Sequence, residues 1–262
     1  NHLNPISMKA IRIITVIFFG TLLAVHPLMA QRGQTQKARS ETSMDTLKVN
    51  LEEDGLEMVI TFRTGKAHNH PSFVFWMENI EGQYIQTLFV TESVGTGIYG
   101  RADAGNGRWK NKPGESIRPA SLPYWAHKRG ILSRGNLYIP TPENPVPDAY
   151  TGATPPQDFV LKARSDEQPG RKFRVLMEIN QPWDWNDYWN NTRYPGDRDY
   201  HSSCQPSAIY AVTIDLDRYE SALYLNPIGH GHYSGDDGRL YTNLTTLTTA
   251  LDIVAEVKVA IK

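Results

Sequence analysis

The period of its apolar residues limits this chain most: short runs that alternate with polar residues or are dense in aromatic and β-branched types, and no long stretch at helical spacing. Such runs suit the pleated surface of a sheet, where successive side chains point to opposite faces. Leu47, Val49 and Leu51 alternate with polar residues, and Leu56 to Phe62 follows the turn dipeptide Asp54-Gly55, which predicts a β-hairpin. Ser72 to Glu78 and Tyr84 to Val90, separated by Asn79, Glu81 and Gly82, predict a second hairpin. Phe159 to Lys162, Phe173 to Ile179, Ala208 to Ile214, Ala222 to Leu225 and Ile253 to Ile261 are the remaining strand candidates. Short helices are expected at Ser121 to Lys128, where Pro123 suits a first helical turn, and at Leu244 to Asp252.

Strands of this kind hide their apolar faces by stacking as two sheets. The expected fold is therefore all-β, an antiparallel immunoglobulin-like β-sandwich with minor short helices. Between Val90 and Phe159 lies a stretch rich in Gly and Pro, read as a long insertion in one domain spanning 45–262. The 262 residues, 40% of them hydrophobic, suffice for a sizeable core. A formal net charge of -1 offers no general attraction to phosphate backbones, so no nucleic acid partner is expected.

Residues 1–30 follow the logic of an export signal with a short upstream extension. Met8 is the expected start, Lys9 and Arg12 supply the positive region, Ile13 to Val25 the apolar run, and Leu28-Met29-Ala30 the cleavage point. That run falls short of the ~20 apolar residues of a spanning helix, so no stable membrane insertion is expected after cleavage. Residues 31–44 are polar, without apolar period, and read as a flexible spacer. The expected location is the periplasm or the outer side of a cell envelope. Cys204 is the only cysteine, so no disulfide forms within the chain.

His70-Pro71, Trp76-Met77-Glu78-Asn79, Gly82 with Tyr84 to Leu88, Trp109, Trp125, Asp148 to Thr154 and Phe173 to Asn180 together resemble a family of periplasmic proteins, domain of unknown function 2271. The likeness spans most of the mature chain. It implies redox work in the envelope, beside membrane reductase-like proteins and flavin transferases. Within it, Asp148-Ala149-Tyr150-Thr151-Gly152-Ala153-Thr154 is similar to the acceptor motif of flavin-carrying subunits of membrane redox complexes. By that resemblance Asp148, Thr151, Gly152, Ala153 and Thr154 form a cofactor site, with the Thr154 hydroxyl linked to the phosphate of flavin mononucleotide (FMN). Gly152 and Ala153 leave the backbone open to approach, and a transferase is required because a lone hydroxyl is a weak nucleophile. Pro155-Pro156 departs from the hydroxyl residues that usually follow, and fits instead a Pro-rich turn with Thr151 and Thr154 bonded to local backbone.

Two further features stand out. Trp183-Asp184-Trp185-Asn186-Asp187-Tyr188-Trp189, with Tyr194 and Tyr200, either offers rings for stacking a ligand or covers one end of the sandwich. His68 with His70, and His230 with His232, would each face one way on an extended strand, but neither pair has a third ligand at a recognisable spacing, so no metal is expected. Haem-attachment, hydrolase-elbow, phosphate-loop and dinucleotide motifs do not occur. The leading expectation is an exported electron-transfer carrier served by a flavin transferase and a membrane redox protein. The alternative is a noncatalytic binding module for glycan or an envelope partner protein.

Overall fold

The structure, a computed structural model, describes residues 44–105, 108–147 and 150–262. The expected export signal, and the expected spacer except Met44, lie outside the described residues. In chain order the first strands are β1 (Asp45–Val49), β2 (Glu57–Thr64), β3 (Ser72–Asn79) and β4 (Tyr84–Thr91). The Gly/Pro-rich stretch carries helix α1 (Glu92–Thr96), the short strands β5 (Ile98–Tyr99), β6 (Ala102–Asp103), β7 (Trp109–Lys110) and β8 (Gly114–Glu115), helix α2 (Pro123–Arg129) and β9 (Thr151–Gly152). Then come β10 (Phe159–Arg164), β11 (Lys172–Asn180), helix α3 (Arg198–Ser203), β12 (Ala208–Asp215), β13 (Leu223–Tyr224), β14 (Asn226–His230), helix α4 (Thr249–Asp252) and β15 (Val254–Ile261).

The chain is mostly β, with several sheets and few helices. One sheet has the order β1-β10-β2-β15-β13 and the other β14-β12-β11-β3-β4-β9. They face each other across one core, in which the Phe62, Phe73 and Phe159 rings stack at centroid distances of 6.0, 5.4 and 4.9 Å.

The sheets are not wholly antiparallel. β1 runs parallel to β10, and β9 parallel to β4. The hairpin expected at Asp54-Gly55 does not form, because β10 lies between β1 and β2. Gly55 serves close packing instead: a Cβ there would lie 2.0 Å from the Ser165 carbonyl oxygen. The second expected hairpin, β3 with β4, is present and carries two irregularities in register.

The Gly/Pro-rich stretch forms a third layer. In β3, Phe73, Phe75 and Met77 enter the inter-sheet core, while Val74 and Trp76 point to the opposite face. β11 repeats the division, with Val175, Met177 and Ile179 inside and Leu176 outside. A strand apolar on both faces must be covered on both, as in buried sheets generally. Leu122, Tyr124, Trp125 and Ala126 at α2, with Tyr99, Ile139 and Val146, supply the second cover.

Polar groups trapped under this layer pair with one another. Glu178 on β11 is wholly buried and accepts hydrogen bonds from the backbone N–H groups of Tyr124 (3.2 Å) and Trp125 (2.7 Å) and from Ser207 Oγ (2.5 Å). It thereby satisfies the open N–H groups at the start of α2. Glu78, equally buried, accepts from Trp76 Nε1 at 3.0 Å and pairs with Arg174 at 3.3 Å.

Burial pushes the Glu178 carboxyl from its ordinary 4.5 up to about 7, against the pull of its three donors. The folded chain then keeps a proton that the unfolded chain releases between those values, so this group's contribution to stability falls as pH rises through the window. Linkage places the loss at about 2 kcal/mol between pH 5.5 and 8. Between pH 5.5 and 8 the unfolding free energy from denaturant titrations should fall by about 2 kcal/mol more in wild type than in Glu178→Gln; parallel pH profiles would contradict the assignment.

Candidate functional site

Strand registers decide where the long loops meet. Asn180 pairs with Ser72, Ile179 with Ala208, Ala208 with His230, Thr64 with Val254, and Thr91 with Gly152. The segments 65–71, 153–158, 181–207 and 231–253 therefore gather at one end of the two sheets. They hold one another: Asn69 N–H donates to Gln181 Oε1 at 2.8 Å, and Gly65 N–H to the Ile253 carbonyl at 2.8 Å.

In the flavin-acceptor-like motif Thr151 and Gly152 form β9 on the β4 edge of the six-stranded sheet, Ala153 and Thr154 continue from it into the loops, and Asp148 lies outside the described residues. Thr151 is half-buried beside Gly95, and Gly152 lies over Phe89, where a Cβ would come within 2.9 Å of the ring. Gly152 is thus required by packing. Ala153 is exposed and Thr154 half-buried. Thr154 Oγ1 donates at 3.3 Å to the carbonyl of Pro71, 83 residues away, rather than to the local backbone expected of a simple turn.

Next to Pro71, His68 packs edge-on to Phe62, with ring centroids 5.9 Å apart, and its Nε2 is buried without a partner among the described residues. Burial, then the nearby His70, lowers its pKa. His70 is exposed at φ 53°, within hydrogen-bond reach of Asn69 Oδ1 at 3.1 Å. His230 ends β14, buried, stacked on Tyr241 at 5.4 Å. Its pKa is also lowered, chiefly by burial. His232 lies past the strand, where its Nδ1 accepts from the backbone of Ser234 and Asp236, each at 3.3 Å. β12 and β11 separate β14 from β3, three strand spacings or about 14 Å, so the two histidine pairs occupy different parts of the rim. Among the described residues no group of three or more His, Cys, Asp or Glu side chains could hold a metal ion.

The aromatic segment divides between packing and exposure. Trp189 and Tyr200 are buried in the main core, and Tyr194 stacks on Tyr233 at 4.0 Å with the rings 3° from parallel. Trp183, Trp185 and Tyr188 stay exposed. Asn186 fixes the bend: its Oδ1 accepts from the N–H groups of Tyr188 (2.9 Å) and Trp189 (2.6 Å), and its Nδ2 donates to Gln205 Oε1 and the Thr246 carbonyl. Cys204 is buried, and burial raises its pKa, leaving an inert thiol.

Two features had no signal in the sequence. One is Glu178, a carboxylate inside a β-strand pattern. The other is Arg118, whose guanidinium lies over Tyr99 (4.0 Å), Trp109 (4.7 Å) and Trp183 (5.8 Å), residues far apart in the chain. No family model matches this chain, and no match was found among curated proteins or solved structures. Among the described residues no helix is long and apolar enough to cross a membrane.

NMR titration of the imidazoles should place the midpoints of His68 and His230 below the ordinary 6.5. A midpoint at or above that value for either residue would contradict its burial.

Proposed function

We propose that this chain is an extracytoplasmic electron-transfer protein in which Thr154 receives FMN from a flavin transferase. The fold underneath is read as an immunoglobulin-like sandwich with parallel edge strands and an added outer layer, in a member of the domain of unknown function 2271 family. The observation that carries the reading is the setting of the motif: Ala153 is exposed, and Thr154 is half-buried on an edge segment with its hydroxyl bonded to one carbonyl.

These residues fit a phosphoester acceptor. Releasing the Thr154 hydroxyl from Pro71 costs one hydrogen bond, about 1 kcal/mol net, so the edge strand need not unfold. In the attachment step Oγ1 loses its proton and forms the bond to phosphorus, while the transferase supplies the base, the activated phosphoryl donor and the departing group. The bound flavin would carry electrons, and the protein would contribute position and electrostatics. Gly152, seated over Phe89, holds the backbone of the acceptor segment against the sheet. Export is a condition of this role, with a membrane redox protein as electron partner.

A noncatalytic binding role is the second reading, favoured by Trp183, Trp185 and Tyr188 standing exposed at the same end.

Mass spectrometry of the processed protein, made in a strain with an active flavin transferase, should find the Thr154 peptide heavier by one FMN less one water. Thr154→Val should lose any covalent yellow chromophore while keeping its fold. An unmodified Thr154 peptide under those conditions would refute the carrier reading.

A further inference from the structure

An open cavity of about 310 Å³ is lined by Trp109, Gly196, Arg198 and His201. Its size, at the small end of ligand sites, suits one or two sugar rings rather than a large cofactor. Trp109 meets Trp183 edge to face, centroids 5.9 Å apart at 79°. Trp183 is held at φ 57° and left 38% exposed. A bulky residue at positive φ is strained, and such strain concentrates where a side chain must be presented.

Arginines stand against these rings and line the cavity, with carboxylates close to them. Arg118 is only 5% exposed and forms no salt bridge among the described residues. Its Nε donates to Ser116 Oγ at 3.1 Å and its Nη2 to the Arg101 carbonyl at 3.2 Å; beyond these it has the aromatic faces and the field of Asp103, with no direct ion pair among the described residues. A buried cation without a paired anion is costly, and a nearby negative ligand relieves that cost. Arg198 is exposed and reaches Asp103 at 3.3 Å and Asp199 at 3.6 Å, both longer than the ~2.7–2.9 Å of a tight charged pair. Arg101 beside Trp183 is a third guanidinium; the carboxylates nearby are Asp103 and Asp199, the latter with Asp197 and Asp236 close to it. His201 contributes a ring nitrogen, Nε2, that is buried without a partner among the described residues.

We propose that this cavity binds an acidic saccharide, a uronate unit whose ring face lies on Trp109 and whose carboxylate is taken by Arg198. The C–H face of a pyranose is apolar and suits an indole, and a guanidinium matches a carboxylate with two parallel hydrogen bonds. Arg118 adds positive potential from beneath Trp109 without direct contact. The inference deepens the binding reading, from glycan in general to acidic glycan, and is independent of flavin attachment at Thr154.

Isothermal titration calorimetry and tryptophan fluorescence on the processed chain, with trigalacturonate as probe, test it. The expected result is saturable binding that weakens with salt, and at least tenfold in both Trp109→Ala and Arg198→Gln. Arg198→Gln changes an exposed side chain, so it keeps the test valid if Trp109→Ala fails to fold. A neutral trisaccharide should bind at least tenfold more weakly, inorganic phosphate should not compete, and Thr154→Val should retain full affinity. No saturable binding of trigalacturonate, unchanged affinity in Arg198→Gln, or competition by phosphate alone would overturn the proposal. If trigalacturonate fails while a neutral oligosaccharide binds and Trp185→Ala removes that binding, the acidic site is wrong and the broader binding reading survives. If no saccharide or envelope protein binds, both fall.

Discussion

In β3 and β11 apolar side chains project from both faces of one sheet, so neither face can be left to water. Phe73, Phe75 and Met77 enter the core shared with the five-stranded sheet, and Val74 and Trp76 require a second partner. Each aromatic of this size removed from water is worth roughly 2–3 kcal/mol, so leaving either face bare would consume a large part of a domain's net stability. The outer layer around α2 is thus as much a part of the fold as the second sheet. Its attachment point is polar: Glu178 receives two backbone N–H groups of α2 and the Ser207 hydroxyl in a place that water does not reach.

Both candidate sites follow from that arrangement. Segments that need not pack between layers are pushed to one end, where Pro71, Gln181 and Ile253 tie the loops together. Thr154 lies on this rim because β9 adds to the free edge of β4, and Phe89 leaves room there only for a glycine at position 152. Trp183 and Trp109 meet because the chain leaving β11 comes back to the layer that covers the outer face. The Thr154 hydroxyl and an arginine-backed aromatic cavity thus share a scaffold without sharing residues.

Much of the strand set was legible in the sequence. β3, β4, β10, β11, β12 and β15 fall within a residue or two of the runs that alternation and β-branched content pick out, and α2 begins at Pro123 as a first-turn proline should. β1 lies where alternation puts a strand, but its pairing differs: Asp54-Gly55 favours a tight hairpin locally, whereas Gly55 is small to let Ser165 approach, a reason invisible without the fold. β14 was missed because Asn226-Pro227-Ile228-Gly229-His230 contains the residues that usually end strands; at a sheet edge, proline is tolerated. The unbroken apolar run of β3 carried a second message, that both faces are buried. At the site, the motif residues from Thr151 to Thr154 are contiguous and could be read directly. The Arg118 cluster joins residues from Tyr99 to Trp183, and no spacing encodes it.

The claim that one doubly covered sheet organises the molecule is tested most directly by native-state hydrogen exchange along a denaturant series. If α2 and its surroundings form an integral layer, the amides of Trp125 and Ala126 open only in the same global event as those of Phe75 and Met177, with equal free energy and denaturant dependence. Exchange at Trp125 and Ala126 with a free energy several kcal/mol below that of β3 and β11 would show the outer layer peeling away alone, and would contradict the account.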